Sequence, residues 1–333
     1  MSTAAYEQAQ NIIDEASHIV VIQAENPDGD SLGSALALEA MLDELGKKVT
    51  LYCAIEIPKY LRYAVGWDRV TSDFPKTFDA SIIVDTASSA LLEKTFVPAQ
   101  LAALTAHPIV VIDHHLTKSD LPFEFAFVNN SKAVATGEVI YDLAKKQKWP
   151  VPADAAENLA LSILADSLGL VTETTTAHSI HTLAELVEHG ARVSDIENRR
   201  REFMRKSPEI LEYKGRLLQR IEYHLDNQLA IVHIPWDEIK EYSDQYNPSV
   251  LVLDEMRLVE GVRVAVAIKT YPDGRLTGKI RTNPDAKIAE IIAGYFGGGG
   301  HGYTAGFKIY DRDYEKIKLE LIGAAQKALS DLQ

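Results

Sequence analysis

Acidic side chains and two adjacent histidines lie at or just beyond the ends of apolar segments in this sequence. Two carboxylates lie in NPDGDSLG, one in VDTAS, one beside the histidines in IDHHL, and one in ILADS. They are Asp28, Asp30, Asp85, Asp113, His114, His115 and Asp166. Clustered carboxylates repel one another unless cations hold them. Carboxylate and imidazole ligands without thiolates suit a divalent ion such as Mn²⁺.

Alone, each of these features has an ordinary structural interpretation. An Asp-Gly-Asp sequence is more often a turn or a helix cap than a functional site, and Asp85 by itself is a weaker signal still. The DHH sequence after a buried strand is more specific, because buried charges need partners. Two divalent ions about 3.5–4 Å apart are a known device for hydrolysing phosphate esters, since they generate hydroxide and stabilise the charge on the phosphate. Together, the residues predict a metal site of this kind.

The elements that would position these residues form an alternating pattern in the first part of the chain. Strand-like apolar runs lie at 17–24, 48–55, 80–88 and 108–115, and helical patterns lie at 34–48, 135–149 and about 153–167. This alternation predicts an α/β domain with a parallel sheet. In such a sheet, ligands gather at the carboxyl ends of the strands, so the acidic residues should converge on one edge.

From about residue 213 the pattern changes. Strand candidates lie at 229–236, 262–271 and 274–282, followed by a helical pattern at 286–296 and an amphipathic helix at the end of the chain. We therefore predict a smaller C-terminal α+β domain with a mixed or antiparallel sheet. The predicted domains are 1–190 and 213–333, joined by a helical connection at 191–212.

A glycine-rich segment in the second domain has its own chemistry. GGGGH, from Gly297 to His301, follows a helix, and backbone N–H groups in such a segment can cradle an anion. Lys279 and Arg281 alternate onto one face of the preceding strand and could supply positive charge. The competing interpretations are a flexible turn with an incidental histidine and a solvated strand face.

Composition limits the remaining possibilities. The chain has 333 residues, 46% of them hydrophobic, which favours two domains with two cores. Its formal net charge of −14 argues against binding to long nucleic acid. No apolar run approaches the roughly 18 residues of a membrane span. With one cysteine and no secretory pattern at the N-terminus, we expect a cytoplasmic protein without membrane partners.

These motifs, taken in order, resemble those of the DHH phosphoesterase family over nearly the whole chain. NPDGDSLGSALAL is similar to the family's first motif, VDTAS to the second, DHH to the third and LADS to the fourth. FGGGGHGYTAGF is similar to the signature of the DHH-associated C-terminal domain. The length and two-domain layout resemble the stand-alone nanoRNase and pAp-phosphatase branch.

The resemblance implies a role for each matching residue. Asp85 would bridge two Mn²⁺ ions, Asp28 would bind the first ion, and Asp30, His114 and Asp166 would bind the second. His115 would lie beside the scissile phosphate, and Asp113 would orient a neighbouring imidazole. The residues that would bind the substrate are Arg281, Gly299, Gly300 and His301. The active site would lie in a cleft between the domains.

The chain departs from the family at Ala24, where the first motif, His-x-x-Pro-Asp-x-Asp, normally has its histidine. The first ion could bind weakly with water in place of the imidazole, another residue such as His178 could replace it, or the first site could stay empty. The fourth motif also departs, because Ser167-Leu168-Gly169 follows Asp166 where the family often has Asp-Thr-Gly.

The resemblance implies an Mn²⁺-dependent phosphodiesterase that hydrolyses short oligoribonucleotides or dinucleotides, such as nanoRNA, pApA and cyclic di-AMP, to mononucleotides. pAp phosphatase activity and a homodimer are also expected. Exopolyphosphate hydrolysis is less favoured, because the glycine-rich signature resembles the nucleotide branch. The alternative is a weakened or inactive sensor of small nucleotides that has lost its first metal ion. Retention of Asp28 favours the enzyme, since that carboxylate serves chiefly the ion that Ala24 would weaken.

Overall fold

The structure, a computed structural model, describes residues 3–116, 118–243 and 245–332, with only the backbone of Thr3 and His301. The chain divides into two units, Met1–Arg205 and Lys206–Gln333. This boundary falls inside the segment 191–212 that we predicted as a helical connection. The functional assignment of the two domains, and the cleft between them, stay predictions.

A parallel sheet forms the centre of the first unit. Its strands are β1 (His18–Ile22), β2 (Lys48–Tyr52), β3 (Ala80–Val84), β4 (Ile109–Asp113) and β5 (Ala126–Asn129), in the order β2-β1-β3-β4-β5. Each neighbouring pair is parallel. The strands are apolar on both faces because both faces are covered: Ile19 and Val21 lie in one buried cluster, and Val20 and Ile22 lie in another. The predicted parallel α/β domain is confirmed.

The helices of this unit are α1 (Thr3–Glu15), α2 (Gly29–Glu44), α3 (Pro98–Thr105), α4 (Thr136–Gln147), α5 (Ala153–Asp166), α6 (Ala177–Glu188) and α7 (Val193–Phe203). Helices α2 and α5 pack with almost no space between their backbones. A Cβ atom on Gly33 would lie 2.5 Å from the carbonyl oxygen of Asn158, and one on Gly29 would lie 2.4 Å from the Cβ atom of Ala165. Glycines spaced four residues apart therefore let the two helices, and the acidic residues that they carry, approach closely.

Helix α2 begins five residues earlier than the sequence pattern predicts. Asp28 is its N-cap, because the side chain accepts hydrogen bonds from the backbone N–H groups of Asp30 and Ser31. The Ser31 hydroxyl in turn accepts a hydrogen bond from the backbone N–H of Asp28, at 3.0 Å, which completes a capping box. Asp30 consequently lies in the first helical turn rather than in a loop.

The second unit is built on a mixed sheet of β6 (Glu222–His224), β7 (Leu229–Ile234), β8 (Val264–Thr270), β9 (Arg275–Thr282), β10 (Gly299–His301) and β11 (Thr304–Tyr310). The strand order is β10-β11-β9-β8-β7-β6. The pair β7–β8 is parallel, and the other neighbouring pairs are antiparallel. The predicted α+β domain with a mixed sheet is confirmed.

Two apolar clusters pack on this sheet with helices α8 (Pro208–Gln219), α9 (Trp236–Tyr242), α10 (Pro248–Arg257), α11 (Ala289–Gly294) and α12 (Tyr314–Ser330). Val264 and Val266 lie in the cluster that also contains α11 and α12, whereas Ala265 and Ala267 lie in the cluster that contains α8 and α10. The alternation along β8 therefore directs successive side chains to opposite layers. Among the helices of the described residues, none combines the length and apolarity that crossing a bilayer requires.

Candidate metal centre

The predicted acidic residues of the first unit gather at the carboxyl ends of β3 and β4, the N-terminus of α2 and the C-terminus of α5. Asp85 directly follows β3, Asp113 is the last residue of β4, and the two histidines come next. Asp28 and Asp30 lie at the N-terminus of α2, and Asp166 is the last residue of α5. The sequence-predicted residues of this unit therefore share one edge of the sheet.

His114 lies at the centre of the cluster. Its Nε2 atom is 3.3 Å from a carboxylate oxygen of Asp166, 3.6 Å from one of Asp30 and 3.6 Å from one of Asp85. On the other side of the ring, Nδ1 is 3.3 Å from the carbonyl oxygen of Ala133, an arrangement that assigns the proton to Nδ1 in the neutral ring. The Nε2 lone pair of that tautomer would face only carboxylate oxygens.

The burial of Nε2 makes this arrangement informative. Among the described residues, Nε2 is a buried side-chain atom without a hydrogen-bond partner. Burial lowers the pKa of His114, but the nearby carboxylates of Asp166 and Asp30 outweigh it and raise the pKa to about 9. Without another cation, the ring must therefore carry a second proton to be compatible with its neighbours. A divalent ion would replace that proton and bind both the nitrogen and the oxygens.

The carboxylates around His114 are likewise unfavourable in their ionised form. Burial, together with the charges of Asp30 and Asp28, raises the pKa of Asp85 well above its ordinary value and that of Asp166 to about 6. Burial also raises the pKa of Asp28. Asp85 adopts a left-handed backbone conformation with φ of 62°, which aspartate tolerates better than most residues. Groups that resist ionisation in this way are expected where a cation completes the site.

Asp30 is held by residues that the sequence reasoning missed. Its Oδ1 accepts hydrogen bonds from the hydroxyl groups of Ser162, at 2.5 Å, and Ser34, at 3.1 Å. Its Oδ2 accepts one from the backbone N–H of Thr136 at 2.7 Å, and the hydroxyl of Thr136 donates to Asp85 at 2.9 Å. Ser34 and Ser162 each lie four residues from a predicted ligand on the same helix, and this spacing could have revealed them.

Asp113 acts on the second histidine. Its Oδ1 is 2.7 Å from Nδ1 of His115 and accepts hydrogen bonds from the backbone N–H groups of His114, at 2.8 Å, and His115, at 3.2 Å. Burial alone would raise the pKa of Asp113, but the hydrogen bonds and charge of His115 lower it. The same hydrogen bond raises the pKa of His115. Asp113 thus fixes the ring of a half-exposed histidine whose Nδ1 lies 3.9 Å from Asp85.

Two groups of donor atoms in the described residues have the size of a metal site. They are Asp85, His114 and His115, and Asp30, His114 and Asp166; within each group the donor atoms lie within 4.8 Å of one another. Nitrogen and oxygen donors without sulfur fit a hard or borderline divalent ion. Together with the buried Nε2 atom of His114, this donor set shows that the residues present fit such an ion.

The position of the missing family histidine is apolar. Ala24 is buried, and its carbonyl oxygen accepts a hydrogen bond from Cys53 Sγ at 3.4 Å. The adjacent Gln23 is fully buried, and neither polar atom of its side chain has a hydrogen-bond partner in the described part of the chain. His178 lies 3.1 Å from both carboxylate oxygens of Asp142 and belongs to neither donor group, so it does not replace the imidazole.

The predicted substrate-binding residues of the second unit lie on β10 and β9, the two strands that flank β11 in the sheet. Gly299, Gly300 and His301 form β10, and the side chain of His301 lies outside the described part of the chain. Thr304 on β11 pairs with His301 on one side and with Arg281 on the other. Gly300 needs to be glycine, because its φ is 149° and a Cβ atom would lie 2.4 Å from the carbonyl oxygen of Thr304.

The two basic residues of this face are half-buried. Burial lowers the pKa of Arg281, and Arg257 lowers it further although Asp254 opposes the shift. Burial and the charge of Arg281 lower the pKa of Lys279. Partly desolvated cations of this kind suit an anionic ligand.

Comparison with known proteins gives matches over both units. Residues 18–163 match the model of the DHH family, N-terminal domain. The bifunctional oligoribonuclease and PAP phosphatase NrnA of Thermus thermophilus is 25% identical over 307 residues, which cover 92% of this chain and 88% of that protein. A probable manganese-dependent inorganic pyrophosphatase of Enterococcus faecalis is 23% identical over 176 residues, covering 52% of this chain and 56% of that protein.

Among solved structures, an exopolyphosphatase-related protein from Bacteroides fragilis has a TM-score of 0.83 at 18% identity. The match covers 99% of this chain and 96% of that one. At this level of identity, the likeness establishes a shared fold.

Proposed function

Because the chain belongs, through residues 18–163, to the DHH family, we propose that it is a metal-dependent phosphodiesterase of short nucleotides. Its substrates are oligoribonucleotides of a few residues or dinucleotides such as pApA, with cyclic di-AMP and the monoester pAp as further candidates. The products are mononucleotides. The observation that carries this proposal is the buried Nε2 atom of His114, which faces three carboxylates and has no hydrogen-bond partner in the described residues.

The proposed ligands divide into two sets. Asp30, His114 and Asp166 would hold one ion, Asp28 would hold the other, and Asp85 would contribute to both. A pair of divalent ions supplies Lewis acidity, which activates a water molecule and offsets negative charge on the phosphate. Mn²⁺ is the proposed ion, supported by the donor set and by the name of the Enterococcus relative.

The chain's own residues orient and neutralise the substrate. His115 is held by Asp113, and its raised pKa keeps a proton available beside a phosphate oxygen. Ser162 and Thr136 fix the carboxylates of Asp30 and Asp85, so that the oxygens need little reorganisation on binding an ion. In the second unit, Arg281, Gly299, Gly300 and His301 bind the phosphate end of the nucleotide.

The preference for short substrates has two supports. The Thermus relative is named for oligoribonuclease and PAP phosphatase activities. A net charge of −14 disfavours long polyanionic strands, whose binding depends on many cationic contacts. We further propose a homodimeric, cytoplasmic protein without membrane partners.

A second candidate function is favoured by the environment of Ala24. The family's histidine is absent there, and His178, the replacement that the sequence suggested, pairs with Asp142 and belongs to neither donor group. A chain with a weakened first metal site would bind small nucleotides as a sensor and hydrolyse them slowly or not at all.

Hydrolysis of pApA, pAp and a long RNA, each with Mn²⁺ and with chelator, distinguishes the two candidates. The chain is assayed beside its Ala24→His variant. Mn²⁺-dependent release of AMP from pApA by the unmodified chain supports the enzyme. Activity confined to Ala24→His shows an intact pocket without a competent first metal site. If neither protein hydrolyses pApA, yet both bind it in chelator, the enzyme proposal fails and the sensor remains.

A further inference from the structure

The first unit has a cavity whose lining contains none of the proposed metal ligands. Its volume is about 490 Å³, which lies in the range of small-molecule pockets, roughly 300–1,000 Å³. Tyr63 forms one wall, Leu161 on α5 and Val193 on α7 form others, and Leu168 lies at the lip. We call this cavity the α5–α7 pocket. Its apolar walls suit a ligand group that also has apolar surface.

The charged residues of the pocket neutralise each other. Arg200 donates to Glu197 through Nε, at 2.7 Å, and through Nη2, at 3.0 Å. Hydrogen bonds from Arg200 and Arg201 lower the pKa of Glu197 to about 2, so this carboxylate stays ionised and paired. The charged groups of the pocket lining are therefore already engaged in an ion pair, which makes them poor partners for a phosphate or a metal ion. The group that it fits is uncharged, with a polar edge.

The pocket adjoins the metal centre. Ala165 lines the pocket and directly precedes Asp166. Tyr63 is close enough to Asp28 for that carboxylate to raise its pKa, behind the larger effect of burial. The hydroxyl of the nearby Tyr60 donates to the carbonyl oxygen of Pro27 at 3.4 Å. An uncharged group in the pocket can thus belong to the same molecule as a phosphate at the metal centre.

The lip of the pocket has a strained backbone. Leu168 has φ of 50° and Leu170 has φ of 71°, values that are uncommon for residues other than glycine. Hydrogen bonds fix this conformation: the backbone N–H of Leu170 donates to the Ser167 hydroxyl at 2.9 Å, and that of Gly169 donates to the carbonyl of Leu164 at 2.9 Å. The side chain of Leu168 is nonetheless 73% exposed.

This combination is unfavourable in the free protein. An exposed leucine at a position suited to glycine contributes little to packing and adds backbone strain. Its position at the lip gives the side chain a contact surface for a bound group. An apolar contact formed only with ligand accounts for both its exposure and its strain.

We propose that the α5–α7 pocket binds one nucleobase of the substrate, with Leu168 packing against its face. This inference rests on the proposed function and adds a basis for substrate choice. Nucleotides gain binding energy from the pocket, whereas pyrophosphate and polyphosphate have no group that fits it. The pocket thereby makes the metal centre selective for phosphate esters that carry a nucleobase.

Two variants test the pocket without altering a metal ligand. Leu168→Gly removes the lip side chain and relieves the strain, and Val193→Trp fills the pocket from α7. Val187→Trp, an exposed position on α6 outside the pocket lining, is the matched control. Binding of pApA that carries one 2-aminopurine base is measured by fluorescence in Mg²⁺ and in chelator, with tripolyphosphate as a base-free competitor. Melting temperatures verify that each variant is folded.

We expect roughly tenfold weaker dinucleotide binding by both pocket variants, as for a lost apolar contact. Tripolyphosphate affinity and the control stay unchanged. Dinucleotide binding at the original strength by Leu168→Gly overturns the proposal, even if Val193→Trp does not fold. The proposal is also overturned if Leu168→Gly changes self-association, measured by sedimentation, and leaves dinucleotide binding unchanged. If the pocket variants bind the dinucleotide more weakly but the unmodified chain hydrolyses nothing, the pocket proposal stands and the phosphodiesterase proposal fails. If the unmodified chain hydrolyses pApA but the variants bind it as tightly as before, the phosphodiesterase proposal stands and the pocket proposal fails.

Discussion

The clustered carboxylates predict that two isosteric substitutions change stability in opposite directions. In the metal-free protein, Asp85→Asn should increase the free energy of unfolding, whereas Asp113→Asn should decrease it. Both residues are buried, but their environments differ. The charge of Asp85 is opposed by burial and by neighbouring carboxylates, while the charge of Asp113 is held by N–H groups and by His115.

The magnitudes follow from the geometry. One oxygen of Asp85 and one of Asp30 each lie 3.6 Å from His114 Nε2, so these oxygens are at most about 7 Å apart. At an effective dielectric constant of about 20, two charges at that distance repel by about 2 kcal/mol. Burial opposes the charge of Asp85 as well, and Asp28 and Asp166 add to the repulsion, whereas protonated His114 attracts the carboxylate. The raised pKa shows that burial and the carboxylates outweigh this attraction, so we expect a net stabilisation of about 1 kcal/mol. Asp113→Asn loses charge-assisted hydrogen bonds and should cost about 2 kcal/mol.

The pH dependence gives the same prediction a second check. Because the folded-state pKa of Asp85 is raised, stability falls as pH rises from the ordinary aspartate range through that pKa. The advantage of Asp85→Asn should therefore be full near pH 8 and disappear near pH 3, where both folded and unfolded Asp85 are protonated. For Asp113, whose pKa is lowered, the wild-type advantage is present at neutral pH and is lost on acidification. Asparagine tolerates the φ of 62° at position 85.

Urea denaturation in chelator at several pH values measures these differences, and parallel titrations with Mn²⁺ measure the loss of metal stabilisation in Asp85→Asn. The two proteins should change order in stability when Mn²⁺ is added, because only the wild type retains the carboxylate that we propose as a metal ligand. A metal-free Asp85→Asn protein that is less stable than the wild type near pH 8 would refute the reasoning about carboxylate repulsion.

Three further outcomes follow from single features of the first unit and of α12. Ser162→Ala removes a hydroxyl that donates to Asp30, so Mn²⁺ affinity measured by calorimetry should fall roughly 10–100-fold; an unchanged affinity would show that the other donors suffice. Since the pKa of Asp166 is raised to about 6, Mn²⁺ binding near that pH should release protons, and the affinity should fall as the pH falls. Calorimetry in buffers of different ionisation enthalpy measures the proton release. Binding heats that do not depend on the buffer would contradict this prediction. Gly33→Ala should lower the free energy of unfolding by about 1–3 kcal/mol, because its Cβ would meet a backbone oxygen. The matched Gly323→Ala should raise it by about 0.5–1 kcal/mol, because a Cβ there meets no other atom of the described residues and alanine favours the helix. Equal effects of the two substitutions in chemical denaturation would reject the close contact between α2 and α5.

Much of the fold could be predicted because the apolar periodicity is strong. The strands beginning near residues 18, 48, 80 and 109 lie where their apolar runs place them, since a strand covered on both faces must be apolar throughout. Helix α2 was predicted to begin too late. The sequence offered a turn or a helix cap as the ordinary interpretation of Asp28, and its side chain does cap the helix, but the apolar pattern contains no signal for the first turn. Strand β11 was not predicted; all seven of its residues pair with β9, which lies earlier in the chain beyond α11 and β10.

The candidate site, like the fold, could be predicted from the sequence only in part. Residue types and their positions at strand ends were sufficient to predict a cluster of carboxylates and histidines. The four-residue spacing could have indicated Ser34 and Ser162 as polar residues on the same helix faces as the ligands. That Ser162 and Thr136 donate to Asp30 could not be predicted, because they are 132 and 106 residues away in sequence and reach it only after α2, α4 and α5 have packed.

The sequence by itself determined the chemistry that the first unit can offer: carboxylate and imidazole donors at strand ends, with alanine at one family ligand position. Local patterns encode this, because each strand end carries its donor within a few residues. Only the tertiary structure decided that Nε2 of His114 faces three carboxylates without a hydrogen-bond partner in the described residues, and that Leu168 lies strained at the lip of an apolar pocket. Such features depend on distances between segments that are far apart in the chain, and those distances are set by helix and sheet packing.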